Sequence, residues 1–186
     1  GLAWLDAGGD APSFLWLHYF DVHQPYTPAP RFRPAGEPPP GVGWRFDRFR
    51  EVRSGHFVPD EAQRDWIARL YLAEVRQLDA ELGRLLDALR ARGRYDDALI
   101  VLVSDHGEEL WDHGGFEHGH TVHDELLRVP LFVKLPGARH AGVVRGPVSI
   151  EAVAPTVLAL CGQDAAGAWL SSAPLVGPDG APRAPG

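Results

Sequence analysis

The stretch ALIVLVSDHGEEL, residues 98–110, indicates how this chain is expected to fold. Its first six residues are apolar and rich in β-branched side chains, which is typical of a strand covered on both faces. Asp105, His106 and Gly107 follow at once, so a carboxylate, an imidazole and a flexible backbone position stand where the strand ends. Because open α/β sheets place their ligand sites at the carboxyl ends of strands, the stretch predicts an α/β fold with a site there.

Before this strand, the sequence predicts one long helix and one further strand. Apolar residues recur every three or four positions over residues 60–92, and Gly93 follows where a left-handed residue commonly ends a helix. Residues 13–20, SFLWLHYF, are predicted to form a buried strand. Residues 21–40 are rich in proline, which fixes φ and removes backbone donors, so they are predicted to form a long, stiffened loop.

After residue 104, the chain first carries a histidine-rich segment and then two further predicted elements. Five of the nine histidines fall within residues 105–125. Residues 129–135 are predicted to form a strand, and residues 150–161 a helix that Pro155 interrupts or starts. The tail, residues 163–186, is rich in alanine, glycine and proline, and we expect it to be loosely ordered.

The composition excludes several classes of protein. With 25 acidic and 18 basic side chains, the formal charge of the 186 residues is -7, which argues against a nucleic-acid partner or an anionic membrane. The single cysteine, Cys161, permits no internal disulfide, and no apolar run approaches the roughly 20 residues of a membrane span. The chain lacks methionine even at position 1, so we interpret it as part of a longer protein. Its compartment and oligomeric state stay open.

Asp105 and His106 are candidate metal ligands. A carboxylate oxygen suits hard divalent ions and an imidazole suits zinc, manganese or iron, so the pair alone leaves the metal open. The alternative is that the two residues merely cap the following turn. His118 and His23 are further imidazoles near predicted strand ends, where such donors would bind an oxyanion. A structural zinc site is another alternative, with ligands His113, His118, His120 and His123.

Four blocks of sequence resemble the second half of the catalytic domain of the sulfatase family, within the alkaline phosphatase-like superfamily. The most specific block is DHGE after an apolar strand, followed by EHGH and then RVPL within residues 99–133. The other blocks are LHYFDVHQPYTPAP at residues 17–30, LDAELGRLLDALRARG at residues 78–93 and VAPTVLALCG at residues 153–162. The resemblance implies an α/β sandwich of a largely parallel sheet between helices, present here as a fragment. Residues 1–162 would be a partial catalytic domain and residues 163–186 its tail.

The resemblance also implies roles for single residues. Asp105 and His106 match the family's late pair of metal ligands, and many sulfatases have asparagine where this chain has His106. His118 matches a lysine or histidine that contacts the substrate's sulfuryl or phosphoryl oxygens and the leaving oxygen. His23, in the H-x-P-Y loop, matches a residue that assists the leaving group or the nucleophile. The implied cofactor is one divalent ion, which is calcium for a typical sulfatase; manganese, magnesium or zinc are the alternatives that His106 raises.

One part of the family pattern has no counterpart in these residues. The nucleophile of the family lies in C/S-x-P-S/A-R, whose cysteine or serine is converted to formylglycine, and this motif does not occur here. We therefore expect the motif, with its formylglycine, to lie N-terminal to these residues in a longer protein. By itself the chain is then expected to be inactive.

The resemblance implies a metal-dependent hydrolase of sulfate esters. Its substrate would be a small-molecule or carbohydrate sulfate ester. Two alternatives stay open, namely hydrolysis of phosphodiesters or phosphonate monoesters (or phospho-headgroup transfer) by the same residues, and a non-catalytic remnant.

Overall fold

The computed structural model describes residues 2–9, 11–138, 141–163, 172–177 and 180–183. The chain divides into two compact units. The first unit comprises Gly1–Arg92 and Glu108–Thr121, and the second comprises Gly93–Gly107 and Val122–Gly186. The chain thus passes into the second unit, returns to the first for 14 residues and then leaves it again.

The regular elements of the described residues are few and mostly short. In chain order they are helices and strands as follows: α1 (Leu2–Ala7), α2 (Phe49–Arg53), α3 (Glu61–Ala91), β1 (Ile100–Val103), β2 (Glu109–Leu110), β3 (Phe116–Glu117), α4 (Asp124–Leu127), β4 (Leu131–Lys134) and α5 (Val153–Leu160). Three short 3-10 turns, Pro30–Phe32, Pro136–Ala138 and Ile150–Ala152, complete the set.

Helix α3 dominates the first unit and confirms the predicted helix almost to the residue. Asp60 caps its start, because the Asp60 carboxylate accepts the N–H of Gln63 while the Gln63 side chain accepts the N–H of Asp60. Gly93 follows the helix with φ +66°, as expected for a left-handed residue after a helix end. None of the described helices is both long and apolar enough to cross a membrane.

The core of the first unit forms between α3 and the loops on either side of it. Trp66, Ile67 and Leu70 of α3 pack with Tyr26 and Phe46, together with Val42 and Phe116. Tyr26 and Phe46 exchange backbone hydrogen bonds of 3.0 and 2.9 Å and so form an isolated antiparallel β-bridge. This bridge joins the proline-rich loop to the segment that follows it. The predicted stiff loop is thereby fixed against the helix.

Side chains of α3 fasten the proline-rich loop along its length. Gln77 accepts the N–H of Ala29 at 2.8 Å, and Gln63 donates to the Pro40 carbonyl at 2.8 Å. These bonds satisfy backbone groups of a segment that has no ladder partner for most of its length. The loop therefore follows the helix, although it contains little regular structure of its own.

The second unit contains the predicted strands β1 and β4. They pair antiparallel, with Ile100 opposite Lys134 and Val103 opposite Leu131. The ammonium group of Lys134 donates to the carbonyls of Tyr95, Asp96 and Ala98, which holds the segment before β1 against the end of β4. Helix α5 confirms the predicted C-terminal helix, with Pro155 in its first turn.

Two sequence expectations differ from the described structure. Residues 13–20 form no strand, because no described segment pairs with them, and Phe14, Trp16 and Phe20 are 64–71% exposed rather than buried. The described sheets are two-stranded and antiparallel, whereas a largely parallel sheet was expected. Most of the predicted tail, residues 163–186, lies outside the described residues.

Candidate functional site

The hairpin of β2 and β3 brings three buried carboxyl groups into the first unit. The side chains of Glu108, Glu109 and Glu117 are only 5%, 1% and 5% exposed. A buried carboxylate is costly unless it is paired and hydrogen-bonded. Each of the three has such partners, and a histidine or an arginine is among the partners of each.

Glu108 joins a tyrosine to a histidine. The hydroxyl of Tyr26 donates to Oε2 of Glu108 at 2.6 Å, and Nδ1 of His118 lies 2.8 Å from Oε1 of Glu108. Burial, and then the negative charge of Glu108, raise the pKa of Tyr26 far above its ordinary value, so this hydroxyl stays protonated and donates. Because an ionised carboxylate only accepts hydrogen bonds, Nδ1 of His118 is the donor in this pair. Glu108 therefore fixes both the orientation of the ring and the side from which its Nδ1 proton points.

His23 lies beside His118. The two ring centroids are 5.1 Å apart, in an edge-to-face arrangement. Nδ1 of His23 lies 2.7 Å from the carbonyl oxygen of Gln24, which orients this ring from its own loop. Phe20 contacts the same imidazole, with ring centroids 4.6 Å apart. The structure thus brings together the two histidines that the sequence placed 95 residues apart.

Glu117 holds the next residue of the His23 loop. The amide of Gln24 donates to Oε1 of Glu117 at 3.0 Å, and Arg53 pairs with Oε2 at 3.2 Å. Gln24 is 6% exposed, so this contact anchors the loop inside the unit rather than at its surface. A charged acceptor makes the Gln24 bond stronger than a neutral pair would be.

Glu109 lies in a cradle formed by the hairpin turn. Its carboxylate accepts the N–H of Gly115 at 2.6 Å and the N–H of His113 at 3.2 Å, and it lies 3.2 Å from Nε2 of His120. Burial acts to raise the pKa of Glu109, but these hydrogen bonds outweigh it and hold the pKa below the usual value. A Cβ at position 115 would lie 2.6 Å from Nε2 of His120 and 2.7 Å from Oε2 of Glu109, so a larger residue there would displace these two side chains.

Glu74 is a buried acid of a different kind. Its Oε1 accepts the N–H of Thr27 at 2.5 Å, while its Oε2 has no hydrogen-bond partner among the described residues. Burial raises the pKa of Glu74 to about 7, opposed by the Thr27 hydrogen bond and assisted by the negative charge of Asp21. This carboxyl group therefore changes its charge near neutral pH.

Asp105 and His106 belong to the second unit, at the end of β1. Ser104 donates its hydroxyl to the His106 carbonyl at 2.7 Å, which shapes the turn. Gly107 donates its N–H to the Leu126 carbonyl at 2.9 Å, and a Cβ at position 107 would lie 1.9 Å from the carbonyl oxygen of Glu125. The glycine of the DHG sequence is thus required by a close backbone approach.

Asp105 and His106 offer two candidate donors for a divalent ion. Nδ1 of His106 lies 2.8 Å from the Gly107 carbonyl, and a backbone carbonyl is a common partner for the second nitrogen of a metal-bound histidine. Nε2 of His106 and Oδ1 of Asp105 are 3.9 Å apart. Two tetrahedral ligands that each lie about 2.1 Å from one ion are about 3.4 Å apart, so a small shift of either side chain would let both atoms reach the same ion.

The predicted site residues thus form two pairs, one in each unit. His23 and His118 are neighbours in the first unit, and Asp105 and His106 are neighbours in the second. That the two pairs face a common cleft stays a prediction. Sequence reasoning missed Tyr26 and the acids Glu108, Glu109 and Glu117. The EE pair after DHG was visible, but nothing local in the sequence indicated burial or partners.

Comparison with known proteins gives consistent similarities. The family model described as "Sulfatase" matches residues 1–163. A sulfatase from Formosa agariphila is 30% identical over 150 residues, which are 81% of this chain and 29% of that protein.

Two solved structures are similar in fold and in sequence. The phosphonate monoester hydrolase from Silicibacter pomeroyi has a TM-score of 0.60 and 31% identity, over 65% of this chain and 24% of the other. A structure of a protein in complex with its substrate D-glucosamine-2-N,6-O-disulfate has a TM-score of 0.55 and 31% identity, over 69% and 26%. The chain therefore spans less than a third of the length of these relatives.

Proposed function

Because the chain belongs to the sulfatase family, we propose that the protein in which it occurs hydrolyses sulfate esters. The similar solved structures confirm the predicted α/β, alkaline phosphatase-like fold class. The observation that carries the proposal is the hydrogen-bonded chain from Tyr26 through Glu108 to His118, with His23 beside it. An imidazole held in this way is prepared to act on one particular oxygen of a bound ester.

His118 is the proposed general acid. Glu108 holds the Nδ1 side of the ring, so the proton that an imidazolium transfers to the departing oxygen leaves from Nε2. Such a transfer typically contributes about 10²–10⁴-fold to the rate. His23 adds a second imidazole close to the same position, where it hydrogen-bonds an ester oxygen or the departing oxygen.

Asp105 and His106 are the proposed ligands of a divalent ion. Such an ion, when bound, supplies Lewis-acid stabilisation of charge on the ester's non-bridging oxygens. Calcium is the proposed ion by family, and the imidazole of His106 also suits manganese or zinc. The nucleophile is proposed to be a formylglycine outside these residues, since the C/S-x-P-S/A-R motif does not occur in them.

The proposed substrate class is a carbohydrate sulfate. One similar structure holds a disulfated glucosamine as its substrate, and the fold similarity to this chain covers 69% of the residues. A nucleic-acid partner is not proposed, since the net charge of -7 opposes binding of a polyanion.

Assay of the full-length protein with nitrophenyl sulfate tests the proposal. We expect hydrolysis, and we expect His118→Ala to lower kcat by about 10²-fold or more with a much smaller change in KM. The matched control is His56→Ala, because His56 is an exposed histidine whose ring hydrogen-bonds the hydroxyl of its neighbour Ser54. Equal turnover in His118→Ala and wild type would remove His118 from the mechanism, and absence of any hydrolysis would favour a non-catalytic remnant.

Hydrolysis of phosphonate monoesters or phosphodiesters is the second candidate. It is favoured by the similarity to the phosphonate monoester hydrolase and by a histidine, rather than an asparagine, at position 106. The two candidates are separated by parallel assays with nitrophenyl sulfate and a nitrophenyl phosphonate ester on one preparation. A kcat/KM at least tenfold higher for the phosphonate would overturn the assignment to sulfate.

A further inference from the structure

A cleft of about 450 Å³ opens beside the β2–β3 hairpin of the first unit. Its walls include the aromatic rings of Phe57, Trp111 and Phe116. Arg53, Arg64 and His120 also line it, and no carboxylate is among its lining residues. A volume of this size falls within the range of pockets that bind small molecules.

Arg64 supplies hydrogen-bond donors that are not used within the described part of the chain. Its Nε donates to the Pro59 carbonyl at 3.0 Å, and its guanidinium carbon lies 5.3 Å from the centroid of the Trp111 ring. These contacts fix the plane of the guanidinium but leave both terminal nitrogens without a hydrogen bond to any described residue. No ion pair of Arg64 is formed among the described residues.

The acids behind the cleft already have hydrogen-bond partners. Glu117 takes hydrogen bonds from Gln24 and Arg53, and Glu109 takes them from two backbone N–H groups and lies within hydrogen-bond distance of His120. Neither acid pairs with Arg64, whose positive charge therefore stays available to a ligand in the cleft. An anion that enters the cleft meets this charge next to a planar donor group.

The apolar wall sets the second requirement on the ligand. The rings of Trp111 and Phe116 stack with centroids 4.5 Å apart, and Phe57 adds a third aromatic side chain to the lining. Phe116 is itself only 4% exposed, so the apolar surface open to a ligand comes mainly from Phe57 and Trp111. A purely ionic ligand such as free sulfate would leave this surface in water. A sugar ring, with apolar C–H faces and a substituent that reaches the arginines, satisfies both parts of the cleft.

We propose that this cleft binds a pyranose ring that carries an anionic group, either a carboxylate or a sulfate, with Arg64 as its principal contact. The inference rests on the proposed function, because it takes the ring to be a unit of the carbohydrate sulfate. The cleft would recognise a part of the substrate other than the ester on which His23 and His118 are proposed to act. Arg53 contributes a second guanidinium, although part of it is used by Glu117.

Isothermal titration of the full-length protein with three monosaccharides tests the proposal. The probes are glucuronic acid, glucose 6-sulfate and glucose, and all are titrated into the His118→Ala background, which suppresses turnover. We expect at least one anionic sugar to bind at least about tenfold more tightly than glucose, which is the gain expected from a charge-assisted hydrogen bond. Comparison of the two anionic probes distinguishes a carboxylate from a sulfate.

Arg64→Gln should weaken the preferred anionic sugar about tenfold and leave the affinity for glucose unchanged. The affinity of Arg64→Lys for the anionic sugar should lie between those of the wild type and Arg64→Gln, because lysine keeps the charge but lacks the planar pair of donors. Arg45→Gln is the matched control, since Arg45 is exposed, pairs with Asp47 and is not part of the lining. A thermal melt of each variant confirms that it folds.

Each outcome bears on one claim. The proposed binding of an anionic sugar in the cleft is wrong if glucose and both anionic sugars bind equally tightly. It is also wrong if the folded Arg64→Gln variant keeps the affinity of the wild type for the anionic sugar. If the protein hydrolyses nitrophenyl sulfate but sugar binding does not depend on Arg64, the sugar site in the cleft is refuted and the proposed function stands. If sugar binding depends on Arg64 but the wild-type protein hydrolyses no sulfate ester, the proposed function is refuted and the sugar site stands.

Discussion

At the scale of single residues, the site depends on acids that are buried because they are paired. Glu108 lies between the hydroxyl of Tyr26 and the ring of His118, and Glu109 takes two backbone N–H groups of its own hairpin. Removing one member of such a pair leaves its partner buried without compensation, which costs more than the pair itself contributes. Substitutions that keep size and change charge are therefore the informative ones.

Glu108→Gln should lower kcat of the full-length protein by about tenfold or more and change KM little. Glutamine matches the shape of glutamate, but one amide can place its oxygen toward only one of the two donors, Tyr26 or His118. The ring of His118 is then less firmly oriented when the leaving oxygen departs. Steady-state kinetics on nitrophenyl sulfate measures the effect, and metal analysis of the same samples checks that the proposed metal ligands are intact.

Tyr26→Phe is the companion of that experiment. It removes only the remote donor of the chain, so its effect on kcat should be smaller than that of Glu108→Gln. A positioning role for Glu108 would be contradicted by an unchanged kcat, or by a loss that appears in KM alone.

Glu74→Gln should change how stability depends on pH. The folded-state pKa of Glu74, about 7, exceeds its ordinary value of 4.5, so the folded state holds the proton more tightly. The free energy of unfolding therefore falls as pH rises from about 4.5 to about 7, and it changes little above that range on this account. Glutamine carries no charge to desolvate, so the variant should gain about 1–2 kcal/mol over wild type at pH 8, with allowance for partial solvent screening.

Chemical denaturation at pH 5 and pH 8 measures this difference. Asp79→Asn is the control, because Asp79 is an exposed acid on the same helix α3. If the difference between wild type and Glu74→Gln is the same at both pH values, the carboxyl group of Glu74 does not titrate near neutrality.

At the scale of elements, turns and loops carry the chemistry while helices and strands hold them. Helix α3 fastens the loop that contains His23 through Glu74 and Gln77, which bond to the N–H groups of Thr27 and Ala29. The hairpin of β2 and β3 is only two residues long on each side, yet three acids and two histidines depend on its register. Short elements suffice here because side-chain bonds fix the backbone on both sides.

Gly107→Ala should destabilise the turn after β1. The added Cβ would lie 1.9 Å from the Glu125 carbonyl oxygen and 3.2 Å from Cα of Leu126, and both of these are backbone atoms that cannot rotate away. We expect a loss of about 1–3 kcal/mol, the usual range for overpacking, and a lower Tm in calorimetry.

Gly83→Ala is the opposite control. A Cβ at Gly83 meets nothing within 4 Å, and the residue lies inside helix α3. This substitution should therefore raise stability by up to about 1 kcal/mol, since alanine favours helix more than glycine does. Equal Tm values for Gly107→Ala and wild type would show that the close approach at Gly107 is relaxed in solution.

At the scale of the whole molecule, the predicted site residues are divided between the two units. Asp105 and His106 come from the second unit, while Glu108 and His118 come from the first, although all four lie within 14 residues of sequence. The chain crosses between units within the DHGE sequence itself. Metal binding and proton transfer can therefore be tested independently by substitutions on the two sides of that crossing.

His106→Ala should lower the divalent metal content of the full-length protein. Loss of residues that merely support ligands commonly costs 10–100-fold in metal affinity, so removal of a ligand should cost at least about tenfold. Elemental analysis after dialysis against a weak chelator measures the bound ion and identifies it. His56→Ala should leave the content unchanged, and an equal content in His106→Ala would exclude His106 as a ligand.

Much of the fold and part of the site were predicted from the sequence. Local periodicity predicted α3, β1, β4 and α5, because each of these elements is determined by neighbouring residues along the chain. The resemblance of the motifs predicted the family. It also identified His23 and His118 as candidate catalytic residues and Asp105 and His106 as candidate metal ligands. Both kinds of signal are contained within short stretches of sequence.

Other features were decided by the tertiary structure alone. Residues 13–20 have the composition of a strand, but a strand forms only where another segment supplies hydrogen bonds. Tyr26 and Glu108 are 82 residues apart and Gln24 and Glu117 are 93 apart, and neither pairing leaves a local trace in the sequence. What the sequence by itself determined was helices α3 and α5, strands β1 and β4, and the identity of the candidate ligands and histidines. Burial and partner choice, which give those side chains their chemistry, depend on contacts between distant segments, and only the folded chain brings those segments together.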